Sequence, residues 1–149
     1  MQLSTKSRYA ARAMLELALH YGNGPLQLKE IAKRQDISDK YLEQVLFPLR
    51  TKGYIYTQKG NKGGYLLAKP PEEITMYDIV QTLEGSLAPV ACADKPEICS
   101  RSEYCATKEL WTRLKDLIAG ELKQKTLAQL AEEQKNKLKE TSESLMYYI

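Results

Sequence analysis

With 149 residues, 43% of them hydrophobic and 28% charged, the chain has the composition of one folded domain, or a small domain with an appended helix, and not of a disordered polymer. It has no run of 18 apolar residues, so no membrane span is expected, and its first residues lack the apolar core and cleavage site of a secretory signal, so the expected location is cytoplasmic. The net charge of +3 conceals a polarity: residues 1–70 carry 12 Lys and Arg against 5 Asp and Glu, and residues 71–149 carry 10 against 14. That layout suits a polyanion-binding module joined to a part that is not one, although an uneven surface charge would read the same way.

Ser4 caps an expected helix over residues 5–21, with Tyr9, Ala13, Leu17 and Tyr21 spaced on one face, beside Met14 and Ala18. Gly22, Gly24 and Pro25 end it. A short helix over residues 28–34 points Leu28, Ile31 and Ala32 inward. Asp36-Ile37-Ser38 makes a tight turn, and Ser38 caps a third helix over residues 39–52 that buries Tyr41, Leu42, Val45, Leu46 and Leu49. Pro48 lies inside that helix as a local cost, and Gly53 terminates it. The period then changes from helical to alternating. Residues 54–57 and 65–68 read as strands around a basic, glycine-rich loop, Gln58 to Gly64. Pro70-Pro71 breaks the chain. Thr75 to Asp78 has the pattern of a capping box for a helix ending near Gly85. Residues 86–101 show no period. A long helix is expected over residues 102–123, where Leu110, Trp111, Leu114, Leu117, Ile118 and Leu122 form an apolar stripe wide enough to call for a dimer partner. Leu127, Leu130 and Leu138 suggest one more helix, followed by a polar tail ending Leu145-Met146-Tyr147-Tyr148-Ile149.

This order gives a mainly α fold with a small β-hairpin wing: a winged helix-turn-helix over residues 1–70, a linker helix and cysteine-containing loop over 71–101, and a dimerisation helix with its tail over 102–149. In such a fold the N-terminal end of the third helix meets base edges in the major groove. That end carries Ser38, Lys40, Tyr41, Glu43 and Gln44. Gln44 can bond an adenine edge twice, and Glu43, unusual beside a polyanion, can accept from cytosine or repel other bases. Lys59 and Gly60 in the wing, with Lys62, suit a phosphate run or minor groove. Arg8, with Lys6 and Arg12, suits phosphates from the first helix. Any one of these cations alone could be a solvated surface charge. No nucleophile triad, phosphate loop or catalytic acid pair is present, so an enzyme is not expected.

Cys92, Cys99 and Cys105 are the only cysteines and lie within 14 residues. An odd, clustered set fits a metal, cluster or thiol-redox site better than a disulfide framework. Three soft thiolates suit iron. Zinc would ordinarily want a tight C-x2-C pair and a fourth protein ligand, and a thiol switch could draw on Arg101 and Lys108 to activate a cysteine.

Met1 to Ala10, Ile37-Ser38, Tyr41-Leu42-Glu43-Gln44, Leu49-Arg50, Gly63 to Leu67, Cys105-Ala106-Thr107 and Leu110-Trp111 together resemble the IscR-like, Rrf-type family of winged helix-turn-helix transcription regulators, over nearly the whole chain. The resemblance implies a homodimer crossing its long helices, a double-stranded DNA operator, and control of cluster-assembly or sulfur-metabolism genes. It implies that Glu43, Gln44 and Lys59 influence operator choice. It implies that Cys92, Cys99 and Cys105 ligate an iron–sulfur cluster, 2Fe–2S in preference to 4Fe–4S. The sequence departs from the family pattern in its cysteine spacing and in its fourth ligand. Six residues separate the first two cysteines where many members have five. Lys108 stands where the cluster-binding members have a histidine, and Arg8 stands where some members have an acid. His20, the only histidine, has no motif around it, which leaves Asp94, Glu97, Glu103, Glu109 or an exogenous group as the fourth ligand. Cysteine-metabolism repressors of the same family end similarly to this chain. That likeness implies a cysteine synthase as a partner for Tyr148 and Ile149, with a tail folded back on its own dimer as the plainer reading.

Overall fold

The computed structural model describes residues 2–148 as six helices and one two-stranded hairpin. Helix α1 spans Thr5–Leu19 and begins where Ser4 accepts a hydrogen bond from the Ser7 amide at 3.1 Å. It ends two residues before the expected Tyr21. His20 is the cap and Gly22 takes a left-handed φ of +87°, so the chain turns away and leaves Tyr21 about half exposed. Helix α2, Leu28–Gln35, closes on Asp36 in the left-handed region, with the Ile37 amide bonded back to the Ala32 carbonyl at 3.0 Å. The turn delivers Ser38 as the cap of α3, Asp39–Thr51. Pro48 does not break α3: its own carbonyl receives the Lys52 amide at 3.0 Å, and the missing N–H costs one bond inside the helix.

Apolar faces of these helices converge on one core. Ala10, Ala13, Met14 and Leu17 of α1 meet Ile31 of α2 and Leu42, Val45, Leu46 and Leu49 of α3, all buried. Each of the larger side chains contributes on the order of 1.5–3 kcal/mol by leaving water. Tyr9 and Tyr41 pack edge to face at 5.9 Å at the margin of this core.

Strands β1, Ile55–Gln58, and β2, Gly64–Leu67, pair antiparallel with Ile55 opposite Leu67 and Gln58 opposite Gly64. Ile55, Tyr65 and Leu67 face the core. Leu26, just before α2, exchanges both backbone hydrogen bonds with Tyr65, at 2.8 and 3.0 Å, and so ties the hairpin to the helical unit. Gly64 is required at this junction. A Cβ there would sit 2.5 Å from the Leu26 carbonyl oxygen, and its φ is +153°.

Helix α4, Met76–Glu84, starts from the expected capping box, in which Thr75 and Asp78 satisfy each other's amides. Helix α6, Leu127–Tyr147, has the same device in Thr126 and Gln129. The two helix starts lie side by side: the Met76 amide donates to the Lys125 carbonyl at 2.8 Å and the Leu127 amide to the Ile74 carbonyl at 2.9 Å. Leu127 and Ala131 thereby join the core beside α1. Helix α5, Ala106–Gln124, lies between them in sequence and buries none of its residues fully within the chain.

Two expectations are corrected. The long helix begins at Ala106, not at residue 102, because Ser102–Tyr104 forms a single 3-10 turn and Cys105 is extended. The stretch expected as a polar tail is helical through Tyr147: from residue 127 to 147 it contains no Gly or Pro and is rich in Ala, Leu, Glu, Lys and Gln, which favour helix.

Candidate nucleic-acid interface and cysteine loop

Helix α3 presents its outer face to solvent beside the wing. Ser38 is occupied as a cap, accepting the Tyr41 amide at 3.1 Å, so its hydroxyl is committed to the helix start. Tyr41 is half-buried against Tyr9. Lys40, Glu43 and Gln44 are exposed on the open face. Burial raises the Tyr65 phenol above its usual range, Glu43 raises it further, and Arg50 opposes it.

Lys59 and Gly60 stand exposed at the wing tip, between β1 and β2. Gly60 adopts φ +107° and its carbonyl accepts the Gly63 amide at 3.0 Å, closing a tight turn. The Gln27 side-chain amide donates to the Asn61 carbonyl at 3.2 Å, which braces the tip against the start of α2. Arg8 is exposed on α1, one face away from the core, and donates to the Thr5 hydroxyl at 3.3 Å. Lys40 and Glu43 on α3, Lys59 and Lys62 in the wing and Arg8 on α1 are all exposed.

Sequence reasoning missed what fixes α1 in place. One oxygen of Glu84, at the end of α4, accepts from the Ser4 amide at 2.7 Å and from the Ser7 hydroxyl at 2.5 Å. The Ser7 hydroxyl chiefly, with Ser4, holds the Glu84 carboxyl below its usual range against a burial effect of opposite sign. The acid also sits at the positive end of the α1 dipole. Ser4 was legible as a cap, but nothing local in the sequence marks an acid 80 residues away as its partner.

The three cysteines occupy a run of short 3-10 turns, Ala91–Ala93, Pro96–Ile98 and Ser102–Tyr104, that leads into α5. All three thiols are free and partly exposed. Cys105 stands at the start of α5, its Sγ 3.2 Å from the Thr107 hydroxyl. That contact first, with the Lys108 and Thr107 amides, lowers its thiol below the usual range. Lys115 on α5 pins the first turn. Its ammonium donates to the Ala93 carbonyl at 3.1 Å and to Asp94 at 3.3 Å. Asp94 also accepts from Ser86, and this bond chiefly lowers its pKa. Lys108 donates to the Ser102 hydroxyl at 2.7 Å. Thus Asp94 and Lys108 both have protein partners. In number and softness the thiols fit iron. Among the described residues no three His, Cys, Asp or Glu side chains are gathered as a metal site.

The model of a family of iron-dependent transcriptional regulators, Rrf2, matches residues 3–133. The chain belongs to the Rrf2 family. It is 38% identical to the HTH-type transcriptional regulator CymR of Bacillus subtilis over 149 residues, the full length of both. It is 40% identical to the HTH-type transcriptional regulator IscR of Serratia proteamaculans over 134 residues, 90% of this chain and 81% of that one. The solved structure of CymR, the global cysteine regulator of B. subtilis, superimposes with a TM-score of 0.77 at 39% identity, covering 89% of this chain and 97% of the other. As an Rrf2-family protein with this fold, the chain is a DNA-binding transcription regulator and not an enzyme. Among the described residues no helix is long and apolar enough to cross a membrane. Of the two tail residues, Tyr148 is exposed and Ile149 lies outside the described residues.

Proposed function

We propose that this Rrf2-family regulator acts as a homodimer that ties operator binding to an iron–sulfur cluster held by Cys92, Cys99 and Cys105, and so controls cluster-assembly or sulfur-metabolism genes. The observation that carries the reading is placement. Every cysteine of the chain lies in one loop, and that loop is anchored by Lys115 to α5. Helix α5 is the natural dimer element. Leu110 and Leu117 are 48% and 66% exposed on it, an apolar face that a second copy would cover. When bound, a 2Fe–2S cluster supplies a covalent link between loop and helix that responds to iron supply and oxidation. Loop closure would be transmitted along α5 to the partner and through α4, which packs on both α5 and α1, to the reading head. There, Lys40, Glu43 and Gln44 address base edges, the Ser38 hydroxyl holds the start of α3, and Tyr41 sets its angle against α1. Lys59, Gly60 and Arg8 address phosphates.

Anaerobic purification followed by a visible spectrum and iron and sulfide analysis tests this. Two irons and two sulfides per protomer, lost on changing any one cysteine to Ala, are expected. Full occupancy in all three variants would remove the assignment.

A second reading is favoured by one observation: likeness to CymR runs through all 149 residues, whereas the match to IscR spans 134. On that reading the chain is a cluster-free repressor of cysteine metabolism, its cysteines acting as redox-responsive thiols and its end, Tyr148 and Ile149, taking a cysteine synthase as partner. A colourless, iron-free protein whose peptide of residues 140–149 binds cysteine synthase, and stops binding when Ile149 is removed, would establish it in place of the first.

A further inference from the structure

Phe47 is the only phenylalanine of the chain, and 64% of it is exposed. It sits on α3, whose apolar residues Leu42, Val45, Leu46 and Leu49 are all buried on the opposite side. Lys40, Glu43 and Gln44 precede it on the open face at helical spacings of seven, four and three residues, and the exposed Arg50 and Thr51 follow it at three and four. A large ring in water is costly, and nothing in the core asks for one here. The helix rise sets Phe47 about 4.5 Å beyond Gln44 along α3, close to the ~3.4 Å spacing of successive nucleotides on a strand. A residue reading the base pair next to that of Gln44 therefore stands at position 47.

Phenylalanine carries no hydrogen-bond donor or acceptor. Of the features on the major-groove wall, only the thymine C5-methyl group is apolar. We infer that Phe47 is a specificity residue that packs its ring on the methyl group of a thymine adjacent to the base pair read by Gln44. The inference rests on α3 being the helix that enters the groove, as proposed above. On the open face of α3, Phe47 is the large apolar side chain placed to make such a contact.

The test uses the full-length protein and duplexes selected by it from a random pool. Each thymine of the selected half-site is replaced in turn by deoxyuridine, which removes the methyl and keeps every hydrogen-bonding edge. Wild type is expected to lose about fourfold in affinity at one position per half-site, the fold-change that corresponds to burying one methyl group. Phe47→Ala should bind thymine and deoxyuridine duplexes equally, and Phe47→Leu should retain part of the preference. Because Phe47 is exposed, both variants should keep the wild-type thermal midpoint, and because it meets no phosphate, both should keep the wild-type dependence on salt. Indifference of wild type to every replacement, or an unchanged preference in Phe47→Ala, overturns the inference while DNA binding itself stands. Absence of any salt-dependent duplex binding by wild type overturns the groove-reading assignment, and this inference with it.

Discussion

Replacing Gly64 by Ala puts the wing itself under test. The new Cβ would lie 2.5 Å from the Leu26 carbonyl oxygen and 2.6 Å from its carbon, both backbone atoms that cannot rotate aside. Relief requires β2 to move off Leu26, which breaks the two hydrogen bonds between Leu26 and Tyr65. At roughly 0.5–1.5 kcal/mol net per bond, and about 1 kcal/mol for a side chain at φ +153°, the loss comes to about 2–4 kcal/mol. For a chain of this size that is on the order of 6–12 °C in thermal midpoint. Gly60→Ala is the internal control: no atom lies within 4 Å of its added Cβ, so only the strain of φ +107° remains. Calorimetry at equal protomer concentration, with duplex binding measured in parallel well below both midpoints, gives the comparison. Gly64→Ala should lower the midpoint at least twice as far as Gly60→Ala and should weaken binding by misplacing Lys59. Equal midpoints for the two variants would refute the argument that the wing is locked to Leu26.

Three further outcomes follow from the same geometry. Lys59→Ala, at the wing tip, should reduce the slope of log affinity against log salt by about one phosphate contact, whereas Lys139→Ala on the exposed outer part of α6 should leave it unchanged; equal effects would remove the wing from the interface. Glu84→Gln should cost about 1–2 kcal/mol by weakening charge-assisted bonds from Ser4 and Ser7. Because the folded-state pKa of Glu84 is depressed, its contribution is complete above its ordinary value of 4.5 and disappears as pH falls through the folded-state value, so urea midpoints of wild type and variant should converge in acid; a constant gap down to low pH would show that the carboxylate is not the stabilising form. Lys115→Ala should free the Ala91–Ala93 turn from α5, visible as faster amide exchange across residues 91–95 with the core unaffected; unchanged exchange would mean that the loop is held by other contacts.

What the sequence revealed and what it concealed divide along physical lines. Local signals survived intact. The Ser38 cap, the Thr75 capping box and the change of period at the hairpin each act within a few residues and appear within a residue of where the pattern placed them, the strands running Ile55–Gln58 and Gly64–Leu67 where 54–57 and 65–68 were expected. Endpoints set by competition were less legible. A 3-10 turn at Ser102–Tyr104 displaced the start of α5, because Cys105 adopts an extended backbone that no propensity announces. The C-terminal residues read as tail because their apolar spacing fades, yet their helix propensity and the Thr126 box carry α6 to Tyr147. Long-range partners were invisible: Glu84 at the start of α1, Lys115 on the Ala93 carbonyl, and the pairing of the α4 and α6 starts all join segments that only the fold brings together. For the cysteines, the sequence supplied residue type and number, and the structure added their anchoring on α5.

If the cysteine loop governs the reading head, duplex affinity must follow the iron content of the loop, and a binding titration reads this out. Wild type purified without oxygen is titrated with a fluorescent duplex selected by that same protein, before and after iron is removed by a chelator, beside the Cys92→Ala variant. Affinity should change by at least fivefold on iron removal, within the usual range of coupling between two sites, and Cys92→Ala should match the iron-free protein and respond to the chelator no further. Equal affinities in all three samples, with iron confirmed present in the first, would contradict the account and leave a DNA-binding regulator whose cysteine loop controls nothing.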